Sequence, residues 1–178
     1  MIRVSIGLDP GLAACGLAVL CRADSTNGPW KAWIAVTLRT KPPEPLGARL
    51  RVIYEKVESA MQEVVRQGTL MTNVSFAIED QTGVSEGKRR EGKTNADALL
   101  VHQVVGALRA VAWNAGVTPI DVSPQEAKRL LSGMKGTADK NQLRRAVRAL
   151  VSGCPKVMSQ HASDAVAIAL AGARRVRS

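Results

Sequence analysis

The stretch Ile2-Arg3-Val4-Ser5-Ile6-Gly7-Leu8-Asp9-Pro10-Gly11, followed by Cys15-Gly16-Leu17-Ala18-Val19-Leu20-Cys21, decides the architecture. Residues 2–8 are apolar-rich and β-branched, which predicts a strand. Asp9-Pro10-Gly11 predicts a turn. Residues 15–21 predict a second strand, and residues 30–38 alternate well enough for a third. Three strands joined by short turns make an antiparallel meander. Further along, the period changes. Leu50, Ile53, Tyr54, Val57, Met61, Val64 and Val65 recur at helical spacing and predict an amphipathic helix over 46–67 that stops at Gly68.

The pattern then alternates. Residues 74–78 predict a buried strand ending at Glu79, and 81–94 form a loop rich in glycine and charge. Residues 95–115 predict a helix and 117–122 a fifth strand. Ser123-Pro124-Gln125-Glu126 is a helix start, with Ser at the N-cap, Pro at N1 and Glu at N3. A basic, glycine-containing loop at 133–137 precedes two last helices over 139–150 and 158–176. No internal repeat or linker interrupts the chain. The expected class is α/β: one domain over 1–178, with a mixed five-stranded sheet flanked by helices.

Composition narrows the function. A chain of 178 residues buries roughly 70% of its surface on folding, enough for a core without staples. Hydrophobic residues make up 46% and charged residues 22%, which argues against a largely disordered chain. The formal net charge is +10 and the pI about 10.2. Such a balance points to a polyanionic partner, nucleic acid before an acidic membrane surface, because no basic amphipathic helix stands out. Cys15, Cys21 and Cys154 are odd in number and lack metal-ligand spacing. They read as thiols of a reducing compartment. The apolar run over 11–21 is about half a membrane span and follows Asp9 and Pro10. A cytoplasmic protein without a membrane segment is expected.

Two predicted strands run straight into an acid, at Asp9 and at Glu79. Ligands and catalytic groups collect at such strand ends, although either acid alone also suits a turn or helix cap. The last helix carries His161 and Asp164 three residues apart, hence on one face. Small or apolar residues follow Asp164, so that helix must pack against the body of the protein. Together these are three carboxylates and an imidazole from two strand ends and one helix. Clustered carboxylates repel, and a divalent cation resolves the repulsion. Oxygen ligands favour Mg²⁺, with Mn²⁺ able to substitute. Two such ions, about 3.5–4 Å apart, activate water and stabilise the leaving oxygen of a phosphodiester. A basic surface around an acidic metal site is what a nuclease requires.

Several motifs fall in order along the chain. Gly7-Leu8-Asp9-Pro10-Gly11 with Cys15-Gly16-Leu17-Ala18-Val19 resembles the first hairpin of RuvC-type Holliday junction resolvases. Ala77-Ile78-Glu79 resembles their second acidic strand end. Asn95-Ala96-Asp97-Ala98 with Gly106 resembles the start of their central helix, and Ala138-Asp139-Lys140 a later basic motif. His161-Ala162-Ser163-Asp164-Ala165-Val166-Ala167 resembles their C-terminal motif. The resemblance implies a ribonuclease H-like fold, a homodimer, and paired Mg²⁺-dependent nicks across a four-way DNA junction. It places the metal and catalytic positions at Asp9, Glu79, His161 and Asp164. Whether His161 binds metal or helps to deprotonate water is open.

Lys128 and Lys140 match two lysines that the family places near the scissile phosphates, and Lys135 lies between them. Lys88, Arg89, Arg90 and Lys93 follow Glu79 closely and are expected to overhang the site and to order on DNA. Arg174, Arg175 and Arg177 make a basic C-terminus. One departure stands out. The family often carries an aromatic just after the second acid, where this chain has Asp80-Gln81-Thr82-Gly83. The five aromatics, Trp30, Trp33, Tyr54, Phe76 and Trp113, all fall in predicted elements and are expected in the core. Leu99, Leu100, Val104, Val105, Leu108 and Val111 give the helix over 95–115 a wide apolar face, for the core or for a dimer.

Other readings compete. A broader branched-DNA, flap or RNA-processing nuclease would share the fold, and a non-catalytic junction-binding protein would share the charge. A sugar-kinase or actin-like ATPase would share the Gly7–Gly11 turn but needs a second such domain. Nothing in the sequence points to a branch-migration partner or to a cleavage sequence.

Overall fold

In Val4-Ser5-Ile6-Gly7-Leu8-Asp9, bulky apolar residues alternate with small or polar ones. A strand sends successive side chains to opposite faces, so this pattern builds one thick face and one thin face. The computed structural model, which describes residues 2–23, 28–80, 95–132 and 140–176, carries the pattern through a mixed sheet. β1 (Ile2–Asp9) pairs antiparallel with β2 (Ala14–Ala23), and β2 pairs antiparallel with β3 (Trp30–Arg39). This is the expected meander. β4 (Val74–Glu79) lies parallel to β1, and β5 (Pro119–Val122) lies parallel to β4.

The sheet has six strands rather than the expected five, in the order β5-β4-β1-β2-β3-β6. The sixth, β6 (Val151–Ser152), pairs in parallel with Trp30 and Lys31 at the start of β3. Two residues are too few to leave a period in the sequence. The fifth strand also begins later than expected, at Pro119.

Helices cover both faces. α1 (Leu46–Arg66) and α2 (Asn95–Asn114) pack on the thick face. There Ile6, Leu8, Phe76 and Ile78 meet Ile53, Val57, Val104 and Leu108, all fully buried. Gly68 (φ +75) and Gly116 (φ +73) follow α1 and α2 in the left-handed conformation that ends helices. α3 (Pro124–Ser132), α4 (Lys140–Leu150) and α5 (Gln160–Arg175) cover the thin face. The Ser123 cap forms as expected, with Glu126 N–H donating to its Oγ at 3.2 Å. Trp113 corrects the expectation for aromatics: it is 59% exposed on the last turn of α2.

α5 lies unusually close to the strands. On its side of the sheet β1 offers Ser5 and Gly7, β2 offers Gly16 and Ala18, and β4 offers Ser75 and Ala77. The helix answers with Ala162, Ala165 and Ala169, all buried. A Cβ built on Gly7 would sit within 3.0 Å of the Ala165 carbonyl oxygen and the Ala169 nitrogen, a distance that real Cβ atoms do not adopt. A Cβ on Gly16 would collide with the His161 carbonyl oxygen in the same way, and one on Gly172 with Ala77. Hydroxyls fix the seat. Ser75 Oγ donates to Ser5 Oγ at 2.6 Å, and Ser5 Oγ donates to the Ala169 carbonyl oxygen at 2.6 Å, both buried. Buried hydroxyls without such partners would destabilise by about 1–3 kcal/mol each.

Among the described residues, no helix is long and apolar enough to cross a membrane. The glycine contact is open to direct test. Gly7→Ala is expected to lower the unfolding free energy by about 3 kcal/mol through overpacking, read from the midpoint of urea unfolding. Gly47→Ala, where a Cβ meets open space, should leave the midpoint unchanged or raise it.

Candidate active site

Three residues that face one another across the sheet hold the first turn of α5. The register pairs Asp9 with Gly16, and Gly16 with Thr37. Each member of this row does something different. Thr37 Oγ1 hydrogen-bonds Ser159 Oγ, and Ser159 is the N-cap of α5, accepting from Ala162 N–H at 3.1 Å. Gly16 leaves room for the His161 backbone. The carboxylate of Asp9 meets the His161 ring, with 2.6 Å between Oδ2 and Nδ1. On the other side of Asp9, the pairing of Leu8 with Ile78 brings the end of β4, and so Glu79, alongside the end of β1.

Asp9 is therefore the meeting point. It is 8% exposed. Burial pushes its pKa from 3.8 up to about 6. A hydrogen bond with the Glu79 carboxyl pulls it down, and the nearby charge of Asp164 pushes it up again. The other three residues singled out in the sequence thus each act on the Asp9 carboxyl, His161 and Glu79 by hydrogen bonds and Asp164 by its charge. Cys15 lies adjacent to this site, and burial, with the Asp9 charge adding to it, raises its thiol to about 12.

The donor set fits a hard divalent cation. A hydrogen bond between two carboxyls needs a shared proton, and a third acid adds to the repulsion. A cation would replace that proton and bind the oxygens of Asp9, Glu79 and Asp164 and a ring nitrogen of His161. The ligand shell is not ready-made, since among the described residues no three His, Cys, Asp or Glu side chains already converge on one metal position.

The cationic candidates are placed less completely. Lys128 lies half-buried on α3, beside Ala127, which packs in the layer under α5. Lys140 opens α4, and its side chain is outside the described residues, as are Lys135 and the loop residues Lys88, Arg89, Arg90 and Lys93. Arg174 and Arg175 sit at the exposed end of α5. Arg175 has a structural role there, donating to Glu126 Oε1 at 2.9 Å and to the Asp121 carbonyl at 2.7 Å. Exposed pairs of this kind contribute about 0.2–1 kcal/mol. The sequence reading missed Thr37 and Ser159. A Ser just ahead of an alanine-rich helical run was the available signal for the cap; nothing local marked its tie to Thr37.

The family model described as "Crossover junction endodeoxyribonuclease RuvC" matches residues 5–172. The chain belongs to the RuvC family. A curated relative, crossover junction endodeoxyribonuclease RuvC of Natranaerobius thermophilus, is 26% identical over 174 residues, covering 98% of this chain and 96% of its own. The solved structure of Thermus thermophilus RuvC superposes with a TM-score of 0.75 at 26% identity, covering 99% of this chain and 96% of that one. T. thermophilus RuvC in complex with Holliday junction substrate gives 0.77 at 27% identity, covering 98% and 95%. The RuvC-family match begins at Ser5 and ends at Gly172, so it takes in both the serine that ties β1 to α5 and the glycine that seats α5 on Ala77. The expected α/β class and ribonuclease H-like arrangement hold, with the added strand.

Asp9 makes the stability of this RuvC-family chain depend on pH. Its folded pKa, about 6, lies above its ordinary value of 3.8. The folded state therefore favours the neutral acid. The resulting stability is full below pH 3.8 and is lost as pH rises through 6. The whole shift corresponds to about 3 kcal/mol. Without divalent cations, Asp9→Asn is expected to raise the unfolding free energy by up to about 3 kcal/mol at pH 7.5 and by little at pH 4. Urea unfolding at the two pH values checks this, and an equal effect at both would contradict the burial of a charged Asp9.

Proposed function

We propose that this RuvC-family chain is a structure-selective DNA endonuclease, one nuclease domain that resolves four-way junctions as a homodimer by paired symmetric nicks. The observation that carries the hydrolytic reading is a buried Asp9 bonded by His161 and Glu79, with the charge of Asp164 nearby, in a chain of net charge +10. The likeness to a T. thermophilus RuvC solved with a Holliday junction substrate supports the choice of substrate.

In this reading Asp9, Glu79, His161 and Asp164 hold two Mg²⁺ ions, for which Mn²⁺ can substitute. Such ions supply an activated water and stabilise the leaving oxygen of the phosphodiester. The chain's own groups do the rest. Asp9 accepts from His161 Nδ1–H, which fixes the tautomer and leaves Nε2 as an acceptor. The ring is 44% exposed, so Nε2 can either ligate or take a proton from the open side. Lys128, Lys140 and Lys135, with Lys88, Arg89, Arg90 and Lys93, hold the phosphates.

The outer face of α2 supports the homodimer. Leu99 and Trp113, each 59% exposed, lie on one helical stripe with His102, Gly106 and Ala110. A Cβ at Gly106 would meet only open space, so a second helix can approach closely there. Val104, Leu108 and Val111, from the same apolar set, are instead buried in the core of the protomer. A dimer supplies the two sites that symmetric nicks require.

Two experiments test the reading. In Mg²⁺, wild type should cut a labelled four-way junction in preference to duplex, flap and RNA-hybrid substrates. Asp9→Asn should bind the junction and cut it about 10²-fold more slowly or worse. Full cutting by the variant removes Asp9 from catalysis, and equal cutting of flaps or RNA hybrids favours a broader nuclease. Separately, Gly106→Leu is expected to convert the dimer to monomer by sedimentation while leaving the fold intact by circular dichroism, and to turn paired nicks into single ones.

A further inference from the structure

From Lys140 to Ser163 the chain carries five Lys or Arg residues and no Asp or Glu. α4 sorts them by face. Leu143 and Val147 are buried, while Asn141, Arg144, Arg145 and Arg148 form a polar stripe at spacings of three and four. α4 is thus a basic amphipathic helix, a feature the sequence reading passed over. The stripe and the segment after β6 wall an open depression of about 430 Å³, lined by Asn141, Arg144, Arg145, Arg148, Lys156 and Met158. Arg148 donates to the Lys156 carbonyl oxygen and pins that segment to the helix. The Nε of Arg144 is buried with no hydrogen-bond partner among the described residues. None of Arg144, Arg145 and Lys156 makes an ion pair there. The depression also adjoins the active site, because Met158 precedes the Ser159 cap and His161 by only one and three residues.

We propose that this groove is a phosphate-backbone track, which grips a duplex arm of the DNA beside the scissile site. The proposal rests on the DNA-endonuclease reading and extends it to residues outside the metal site. Charge complementarity selects the occupant. Arg144 and Arg148, one turn apart, are separated by about 6 Å along the helix, close to the roughly 7 Å of axis spanned by two steps of one DNA strand. Arginine forks match phosphate geometry. Arg148 and Lys156 stay linked to each other through the carbonyl contact, so the wall of the groove is preformed.

The test compares junction binding across a salt series in EDTA for wild type, Arg144→Gln/Arg145→Gln/Lys156→Gln, and the charge-conserving Arg144→Lys/Arg145→Lys. A control removes three cations from α1, on the opposite face of the sheet, as Arg51→Gln/Lys56→Gln/Arg66→Gln. The groove variant should flatten the log–log salt dependence by about three units and weaken binding by about tenfold or more at fixed salt. The lysine variant should keep most of the slope, and the α1 control should keep all of it. An unchanged slope in a folded groove variant overturns the proposal and leaves the endonuclease reading standing. An equal loss in the α1 control also overturns it, since net charge alone would then explain binding. A wild type that binds no DNA overturns both.

Discussion

The first turn of α5 rests on Asp9, Gly16 and Thr37, three neighbours across the sheet, and the rest of the molecule is arranged around that contact. The helix can reach the strands because both surfaces are nearly bare. Gly7 and Gly16 present no side chain, and Ala165 and Ala169 present little. Backbone on backbone is a stiff interface, because a single methyl group has nowhere to go. The buried Ser75–Ser5–Ala169 chain adds direction, since hydroxyls bond at one register and not at others. Stiffness of this kind is what a site assembled from separate elements needs. A small shift of α5 would carry His161 and Asp164 away from Asp9 together.

The same contact concentrates charge where it is unwelcome. Asp9 is dry and flanked by two further acids, and the folded protein resists its ionisation. The surroundings are of opposite character. The chain as a whole carries +10, and the polar stripe of α4 carries Arg144, Arg145 and Arg148. An acidic pocket set in a cationic surface separates two tasks that one sign of charge cannot do together. The cations hold a polyanion, while the acids are kept for a small cation. Stability is given up locally at Asp9, and the thick core under α1 and α2 offsets it.

Much was legible along the chain. The alternation in residues 4–9 and 74–79 announced two strands, and it also put Asp9 and Glu79 on the face opposite Leu8 and Ile78. Helical spacing announced α1 and the apolar side of α2, and Ser123 announced the start of α3. Other features had no local signature. β6 is two residues long and exists only because β3 lies beside it. Trp113 reads as core by type, yet it faces outward, since the inward positions of that turn are taken by Val111 and Ala112. The basic stripe of α4 was diluted in a sequence rich in Lys and Arg throughout. It becomes a groove only when the segment carrying Lys156 folds back on it.

Period and residue type act over two to four positions, so strand identity, helix faces and the acids at the strand ends belong to the order of residues alone. The encounter of Asp9 with His161 joins positions 152 apart. No local preference can express it. It follows from strand register and from how near a helix can lie to a sheet whose facing side chains are hydrogen atoms, hydroxyls and methyl groups. Those are properties of shape, and they come into being when the layers close on each other.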